Sequence, residues 1–315
     1  MSSLKRVFID GSAGTTGLRI RERLASREDI QLVVLPEEQR KDTEARRKAL
    51  NGADVAFLCL PDAAAIEAVA LVENPDTVII DTSTAHRTSE GWEYGFPELE
   101  GRRERIAKAK RIANPGCHAS GFVALVEPLL RRRLITVNER LCAFSLTGYS
   151  GGGKKMIADS ETAGTQLHIG GRQYALGQTH KHLPEMAKIC GLVHEPCFSP
   201  IVVPHLSGME VTVQLCAAQL ASTGATLADI RQAYREYYTG SGMVRYVEDP
   251  AAAEGGFLSS AALSGRDALE VSAYGNDERI LLVSRFDNLG KGASGAAIQN
   301  MNIVLGVDEG RGLRG

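Results

Sequence analysis

The chain has 315 residues, of which 43% are hydrophobic and 23% are charged, a composition typical of a globular enzyme. Its formal net charge of −2 offers no basic surface for nucleic acid or an anionic membrane, and no apolar run approaches the roughly 18–20 residues that span a bilayer. The six cysteines include no C-x-x-C pair, and the chain enters a strand without an apolar signal core. We therefore expect a cytoplasmic protein with reduced thiols, built from two domains because of its length.

The first predicted element is a dinucleotide-binding turn. A short apolar strand at residues 6–10 precedes GSAGTTG at residues 11–17, and residues 18–29 have the pattern of a helix. The glycine spacing is G-x-x-G-x-x-G rather than the usual G-x-G-x-x-G. Glycines let the backbone approach a pyrophosphate, and the N-terminus of the helix supplies amide donors. The alternative is a glycine-rich turn that binds nothing. The predicted cofactor contacts are Gly11, Gly14, Thr15, Thr16 and Gly17.

Three further apolar runs, at residues 30–35, 54–60 and 77–81, are predicted strands, with a predicted helix at residues 63–72. Continuous apolar strands are typical of a parallel sheet that is covered on both faces. Strands that alternate with helices in this way indicate an α/β domain, a Rossmann-like doubly wound parallel sheet.

The second half of the chain has a different pattern. The predicted strands lie at residues 140–150, 209–218, 243–249 and 278–288, and the predicted helices lie at residues 226–238 and 294–306, the last with Ser294 as its N-cap. This order predicts an α+β domain with a mostly antiparallel sheet. We expect a Rossmann-like domain at residues 1–116, completed by a C-terminal helix at 290–315, and an α+β catalytic and oligomerisation domain at residues 117–289.

One cysteine follows an Asn-Pro-Gly turn and begins a helix. In NPGC, Pro115 has a fixed φ and Gly116 is free to adopt a positive φ, so Cys117 is predicted at a helix N-terminus, where a thiolate is stabilised. A packing role is the alternative, and we predict that role for Cys59, Cys142 and Cys216, which lie in apolar strand patterns. A cysteine nucleophile in a dinucleotide-binding protein indicates attack on an activated acyl group, with phosphate as leaving group and a thioester that accepts hydride.

Five sequence blocks, in this order, resemble the N-acetyl-gamma-glutamyl-phosphate reductases of arginine biosynthesis, and the shorter class of that family most closely. They are GSAGTTG, DTSTAHR (81–87) with YGFPEL (94–99), ANPGCHASG (113–121), THKHLPEM (179–186) and DNLGKGASGAAIQNMN (287–302). The resemblance implies NADPH-dependent reduction of N-acetylglutamyl 5-phosphate to the 5-semialdehyde through a Cys117 thioester. His118 departs from the family, because many relatives carry an aromatic residue after the cysteine, but the nucleophile is in place.

The resemblance also implies roles for charged residues near the nucleophile. Arg87, on the loop after the strand at residues 77–81, would bind the substrate phosphate, for which a planar guanidinium is suited. An exposed loop arginine is the alternative. His180 would be the acid–base catalyst with Glu185 beside it, and His182 would orient substrate. If His180 and His182 lie in a strand, their side chains face one side.

The cofactor is expected to be NADP(H). Glu37 lies 20 residues after Gly17, where an acidic residue often holds the ribose of NAD, whereas Arg40 and Lys41 could pair with a 2′-phosphate. The residues alone leave this choice open, and the resemblance favours NADP, with Arg40 as a contact. It further implies cofactor contacts at Ser150, Gly151, Asn288, Lys291 and Gly292.

Several alternatives are open at this point. The first alternative is another acyl-phosphate reductase, because the aspartate-semialdehyde dehydrogenases are similar in architecture and chemistry. A zinc site is a second alternative, with candidate ligands His180, His182, Cys190, His194 and Cys197. We expect no metal, because PEMAKICG between them is a predicted helix from Pro184 to Gly191 that would scatter the ligands. A nucleotide-sensing protein without catalysis is a third. The expected partners are a small acyl-phosphate substrate and further copies of the chain, as a dimer or tetramer.

Overall fold

The computed structural model describes residues 4–162 and 169–315, which divide into two units. The first unit extends to Pro115 and includes Ala293–Leu313, and the second consists of Gly116–Gly292 with Arg314–Gly315. Across these described ranges, no helix combines the length and apolar character that crossing a membrane requires.

The first unit contains a six-stranded sheet in the order β2-β1-β3-β4-β6-β5, and every pairing in it is parallel. The predicted doubly wound parallel sheet is therefore confirmed. Its strands are β1 (Lys5–Asp10), β2 (Ile30–Val33), β3 (Val55–Leu58), β4 (Val78–Asp81), β5 (Glu93–Tyr94) and β6 (Arg111–Ala113).

Alternate residues of these strands supply two cores, one on each face of the sheet. In β3, Val55 and Phe57 enter one core, and Ala56 and Leu58 enter the other, as the two-residue period of a strand requires. The first core also receives Ile20 of one helix and side chains of the C-terminal helix. The helices of this unit are α1 (Thr15–Leu24), α2 (Thr43–Asn51), α3 (Asp62–Ala70), α4 (Arg102–Ile106) and α10 (Gly295–Leu305).

The second unit contains a seven-stranded sheet in the order β11-β12-β13-β10-β7-β9-β8. Four of its six pairings are antiparallel, so the prediction of a mostly antiparallel sheet is confirmed. Its strands are β7 (Cys142–Gly148), β8 (Arg172–Gln173), β9 (Cys197–Val203), β10 (Met209–Cys216), β11 (Val244–Tyr246), β12 (Leu269–Asn276) and β13 (Arg279–Phe286).

Within the described part of this unit, the α-helices are α5 (Cys117–Arg131), α6 (Gly153–Glu161), α7 (Leu183–Cys190), α8 (Ala217–Leu220) and α9 (Leu227–Tyr237). Helix α5 packs on β10 and β13, and α9 packs on β12. The predicted helix from Pro184 to Gly191 is confirmed as α7, which ends where Gly191 adopts a left-handed conformation with φ of 73°. Helix α5 covers one face of the sheet, and on the opposite face Phe144 of β7, Gln214 of β10 and Leu281 of β13 are exposed.

Two local predictions are wrong, those for the Ser294 cap and for the packing of Cys142 and Cys216. Ser294 does not cap α10, because residues Gly290–Ser294 already form a π-helical turn that continues into the helix, so Ser294 has helical dihedral angles. Cys142 and Cys216 are exposed rather than packed, because they alternate along their strands with buried Ala143 and Leu215. Gly116 has a φ of −76° and does not use the positive φ available to glycine.

Candidate active site

The glycine-rich turn between β1 and α1 has the geometry of a phosphate cradle. Gly11 has a φ of 86°, and a Cβ atom there would collide with the carbonyl of Cys59. A Cβ atom at Gly17 would collide with the carbonyl of Gly11. Gly14 is the N-cap of α1 and provides no side-chain cap, so the amides of Thr15 and Thr16 begin the helix with donors suited to an anion. The turn therefore fits a pyrophosphate.

Beyond β2, Arg40 carries a donor that fits an anion. Its Nε atom is buried, and none of the residues that the structure describes accepts a hydrogen bond from it. Glu37, the competing candidate for a ribose hydroxyl, is exposed in the short 3₁₀ turn Glu37–Gln39. The neighbouring Arg46 already forms an ion pair, because its Nε and Nη2 atoms donate to Asp10 Oδ2 at 3.0 and 2.9 Å. A buried donor without an acceptor is costly, and a 2′-phosphate would supply the acceptor.

Arg87 lies on the loop after β4, at the carboxyl end of the sheet where ligands of such sheets bind. Its Nε atom donates to the carbonyl of Asn114 at 3.0 Å and its Nη2 atom donates to the carbonyl of Thr82 at 3.1 Å. The preceding His86 is fixed in turn, with Nδ1 2.6 Å from Asp81 Oδ2. The loop therefore holds a guanidinium in one orientation.

Cys117 is the first residue of α5, and Gly116 is the N-cap without a side-chain cap. The amide of Gly116 donates to Glu185 Oε1 at 2.8 Å, and Glu185 is buried in the first turn of α7. The two helix N-termini are thus joined at the residue before the nucleophile. This bond fixes the backbone that carries Cys117, while the role of Glu185 as partner of His180 stays a prediction.

The two histidines of the H-x-H pair do not lie in a strand, so the alternation of a strand does not set their directions. His180 is in the turn before α7 and His182 is the N-cap of that helix, with φ of −86° and ψ of −11°. The winding of the chain into the helix brings the ring centroids within 4.7 Å of each other. The backbone amide of His182 donates to His180 Nδ1 at 3.2 Å, which places the proton of a neutral His180 ring on Nε2.

Next to the nucleophile lies a cluster that sequence reasoning missed. His118 is buried, with Nδ1 2.7 Å from Ser145 Oγ and Nε2 2.7 Å from the hydroxyl of Tyr174. Burial, with the charge of His180 alongside, lowers the pKa of His118 to about 3. Burial and then the neighbouring Cys117 thiolate raise the pKa of Tyr174. His118 was noted only as a departure from the family, and Tyr174 stands in no motif.

One ring nitrogen each of His118 and His182 and the Sγ atom of Cys117 all lie within 4.8 Å of one another. His182 is buried and His180 is half-buried. The structure therefore brings His182 to the nucleophile, while His180 is the more accessible of the pair.

The zinc site considered from sequence does not form. His180 and His182 are adjacent, but the described residues contain no metal-sized group with Cys190, His194 or Cys197 as a member. Helix α7 separates the candidate ligands, since Cys190 is buried at its end and Cys197 is exposed on β9.

Two residues predicted as cofactor contacts meet although they are 138 positions apart. Asn288 Nδ2 donates to Ser150 Oγ at 3.0 Å, and Asn288 Oδ1 accepts from the amide of Gly208 at 3.0 Å. A Cβ atom at Gly151 would lie 3.6 Å from Asn288 Nδ2. The glycine-rich loop after β7 is thus tied to the segment after β13.

The π-helical turn that follows contains the other predicted contacts, Lys291 and Gly292. The amides of Gly290 and Gly292 both donate to the carbonyl of Asp287 at 3.0 Å, and Lys291 is buried. A Cβ atom at Gly292 would lie 3.0 Å from the Cβ atom of Cys117, so any side chain there would crowd the nucleophile. π-helical turns are frequent at functional sites.

Comparison with known proteins gives the family. The sequence model described as "Semialdehyde dehydrogenase, NAD binding domain" matches residues 6–109, and the one described as "Semialdehyde dehydrogenase, dimerisation domain" matches residues 117–288. Among solved structures, aspartate semialdehyde dehydrogenase II of Vibrio cholerae has a TM-score of 0.69 at 16% identity, over 96% of this chain and 99% of that one. The enzyme of Candida albicans with NADP has a TM-score of 0.66 at 16% identity, with the same coverage. These likenesses show the fold.

Curated relatives are much more similar in sequence. "N-acetyl-gamma-glutamyl-phosphate reductase 2" of Nostoc sp. is 44% identical over 98% of this chain and 99% of its own length. The N-acetyl-gamma-glutamyl-phosphate reductase of Burkholderia ambifaria is 42% identical over 97% of this chain and 98% of its own. The chain therefore belongs to the N-acetyl-gamma-glutamyl-phosphate reductase family, within the semialdehyde dehydrogenases.

Proposed function

We infer that the chain reduces N-acetylglutamyl 5-phosphate to N-acetylglutamate 5-semialdehyde with NADPH and releases phosphate, as a step of arginine biosynthesis. The observation that carries this proposal is Cys117, which begins a helix beside a buried carboxylate and two histidines. Relatives named for this reaction match the chain almost from end to end.

Cys117 acts as the nucleophile. The amide donors at the N-terminus of α5 and the dipole of that helix stabilise its thiolate. The thiolate attacks the acyl carbon, a carbon–sulfur bond forms, and phosphate leaves with the electron pair of the broken carbon–oxygen bond. Arg87 is the proposed ligand of that phosphate, because its guanidinium is held in one orientation by two carbonyls.

The thioester on Cys117 accepts the hydride that the reduced nicotinamide supplies when it is bound. The proposed acid–base catalyst, His180, gives a proton to the developing alkoxide and takes it back as the carbon–sulfur bond breaks and the aldehyde leaves. His182, beside the sulfur, holds the thiolate and substrate in place. Glu185 fixes the backbone before Cys117 through Gly116.

The residues of the first unit fit NADP(H). The cradle of Gly11 and Gly17 leaves space that a Cβ atom would fill, and the buried Nε atom of Arg40 needs an acceptor. We propose that Arg40, with Lys41 next to it, binds the 2′-phosphate. The family resemblance also makes Ser150, Asn288 and Lys291 proposed cofactor contacts.

Replacing Arg40 with Gln is expected to lower kcat/KM for NADPH by roughly 10–100-fold, the value of a charge-assisted hydrogen bond of about 1.5–3 kcal/mol. The value for NADH should change less than a few-fold, because NADH has no 2′-phosphate. Steady-state kinetics with both cofactors measure this difference. Arg47→Gln is the matched control, since Arg47 is half-buried in α2 and paired with Glu73. Equal losses with NADPH and NADH would overturn the assignment.

The proposed substrate is tested by assaying N-acetylglutamyl phosphate and aspartyl phosphate side by side, with NADPH oxidation as the readout. We expect the first to have a kcat/KM on the order of 100-fold higher, because the second lacks a methylene and the acetyl group. In the reverse direction, phosphate should be required for acyl phosphate formation. A preference for aspartyl phosphate would support the aspartate-semialdehyde dehydrogenase alternative.

We propose that the chain forms a homo-oligomer through its second unit, which matches a dimerisation domain. The sheet face opposite α5 supports this, because Phe144 on β7 and Leu281 on β13 are 43% and 41% exposed there. The proposed setting is the cytoplasm, where the free thiols of all six cysteines would stay reduced.

A further inference from the structure

The group formed by Cys117, His118 and His182 has the composition of a metal site. It offers one thiol sulfur and two ring nitrogens, all within 4.8 Å of one another. In a tetrahedral zinc site with bonds of about 2.0–2.3 Å, neighbouring ligand atoms are separated by about 3.5 Å. Formation of the site therefore requires the ligand atoms to move together by about an ångström.

The surroundings of His118 prepare it to act as a ligand. If Nδ1 donates to Ser145 Oγ, at 2.7 Å, Nε2 is the ligand nitrogen, and a partner of this kind fixes the tautomer of metal-bound histidines. The metal would replace the hydrogen bond of Nε2 to Tyr174.

We propose that Cys117, His118 and His182 form a reversible binding site for Zn²⁺ or a similar thiophilic divalent cation, with water in the fourth position. Binding displaces one proton, from the thiol of Cys117, and involves no redox change. Thiolate and imidazole ligands favour this class of ion over Mg²⁺. The expectation that this metal inhibits the enzyme depends on the nucleophilic role proposed for Cys117. The expectation that the metal binds depends only on the geometry.

Co²⁺ is the probe, because its spectrum reports the ligands without an activity assay. Titration of the metal-free full-length protein should give one equivalent per chain, tetrahedral visible bands and a near-ultraviolet thiolate-to-cobalt band. Zn²⁺ should remove these bands by competition, slow the alkylation of Cys117 by iodoacetamide, and stop NADPH oxidation until a chelator is added. Mg²⁺ at the same concentration should do none of these.

Variants identify the ligands. Cys117→Ser should lose the thiolate band, and His118→Phe and His182→Asn should each weaken Zn²⁺ binding by at least roughly 10–100-fold, the loss that even an indirect partner causes. The control is Cys216→Ser, an exposed cysteine outside the cluster, which should bind as the unchanged protein does. Circular dichroism shows that each variant is folded. Cobalt binding without a thiolate band, or undiminished in Cys117→Ser, would overturn the proposal. If Zn²⁺ binds but does not inhibit, the metal site is supported, and the nucleophilic role proposed for Cys117 is contradicted.

Discussion

Replacing Cys117 with serine is expected to lower kcat by at least roughly 10³-fold, because an unactivated hydroxyl cannot take the place of a thiolate as nucleophile. Serine has nearly the same shape, so the variant should fold and bind NADPH with unchanged affinity. The sharpest measurement omits NADPH. The unchanged enzyme mixed with N-acetylglutamyl phosphate should release about one phosphate per chain and gain one acyl group on Cys117 by mass spectrometry, whereas the variant should do neither.

The matched control is Cys216→Ser, since Cys216 is an exposed cysteine at the N-cap of α8, where serine is also a good cap. This control should have the phosphate burst and the turnover of the unchanged enzyme. Turnover of Cys117→Ser at a comparable rate, without acylation of the protein, would mean that hydride reaches the acyl phosphate directly and that no covalent intermediate forms.

The sequence predicted the elements that bury continuous apolar surface. Strands β3 and β4 are buried throughout and were recognised from their apolar runs. Helix α2 was missed, because it buries only Ala49 and Leu50 and its other residues are mostly polar, so its apolar stripe is weak. Strand β8 is two residues long, which is too short for any periodicity to be detected.

Those features of the site that depend on one short stretch of sequence could be predicted. The turn before Cys117 and the cap glycine Gly191 of α7 have local signals. The bond from Gly116 to Glu185 joins residues 69 positions apart, and the pairing of His118 with Tyr174 joins residues 56 apart. No spacing rule encodes such contacts, because they are produced by the packing of helices on the sheet. The direction of the H-x-H side chains was open for a related reason, since the spacing does not show that His182 is the N-cap of a helix.

The second large effect is expected at His180. His180→Asn should lower kcat by roughly 10²–10⁴-fold, the usual loss for a general acid–base group, with substrate affinity kept within a few-fold. The pH profile of kcat should lose one limb, because asparagine cannot titrate. His182→Asn should act mainly on KM if His182 holds substrate. Asparagine suits both positions, since its amide can replace one ring nitrogen in hydrogen bonding without carrying the proton.

The geometry also offers a reason to exchange the two roles, with His182 as the acid–base catalyst and His180 as the residue that orients substrate. The two asparagine variants distinguish these assignments. Of the H-x-H pair, His182 is the member that shares a group within 4.8 Å with Cys117 Sγ, so it is placed to take the proton of the thiol. His180 accepts the amide of His182 at Nδ1 and is half-buried, which places the proton of a neutral ring on Nε2, the nitrogen proposed to serve a substrate oxygen. The phosphate burst separates the two roles, because it precedes hydride transfer. His180→Asn should keep the burst and lose turnover. If His182→Asn flattens the pH profile and slows the burst while His180→Asn stays bell-shaped, His182 is the acid–base catalyst and His180 the residue that orients substrate.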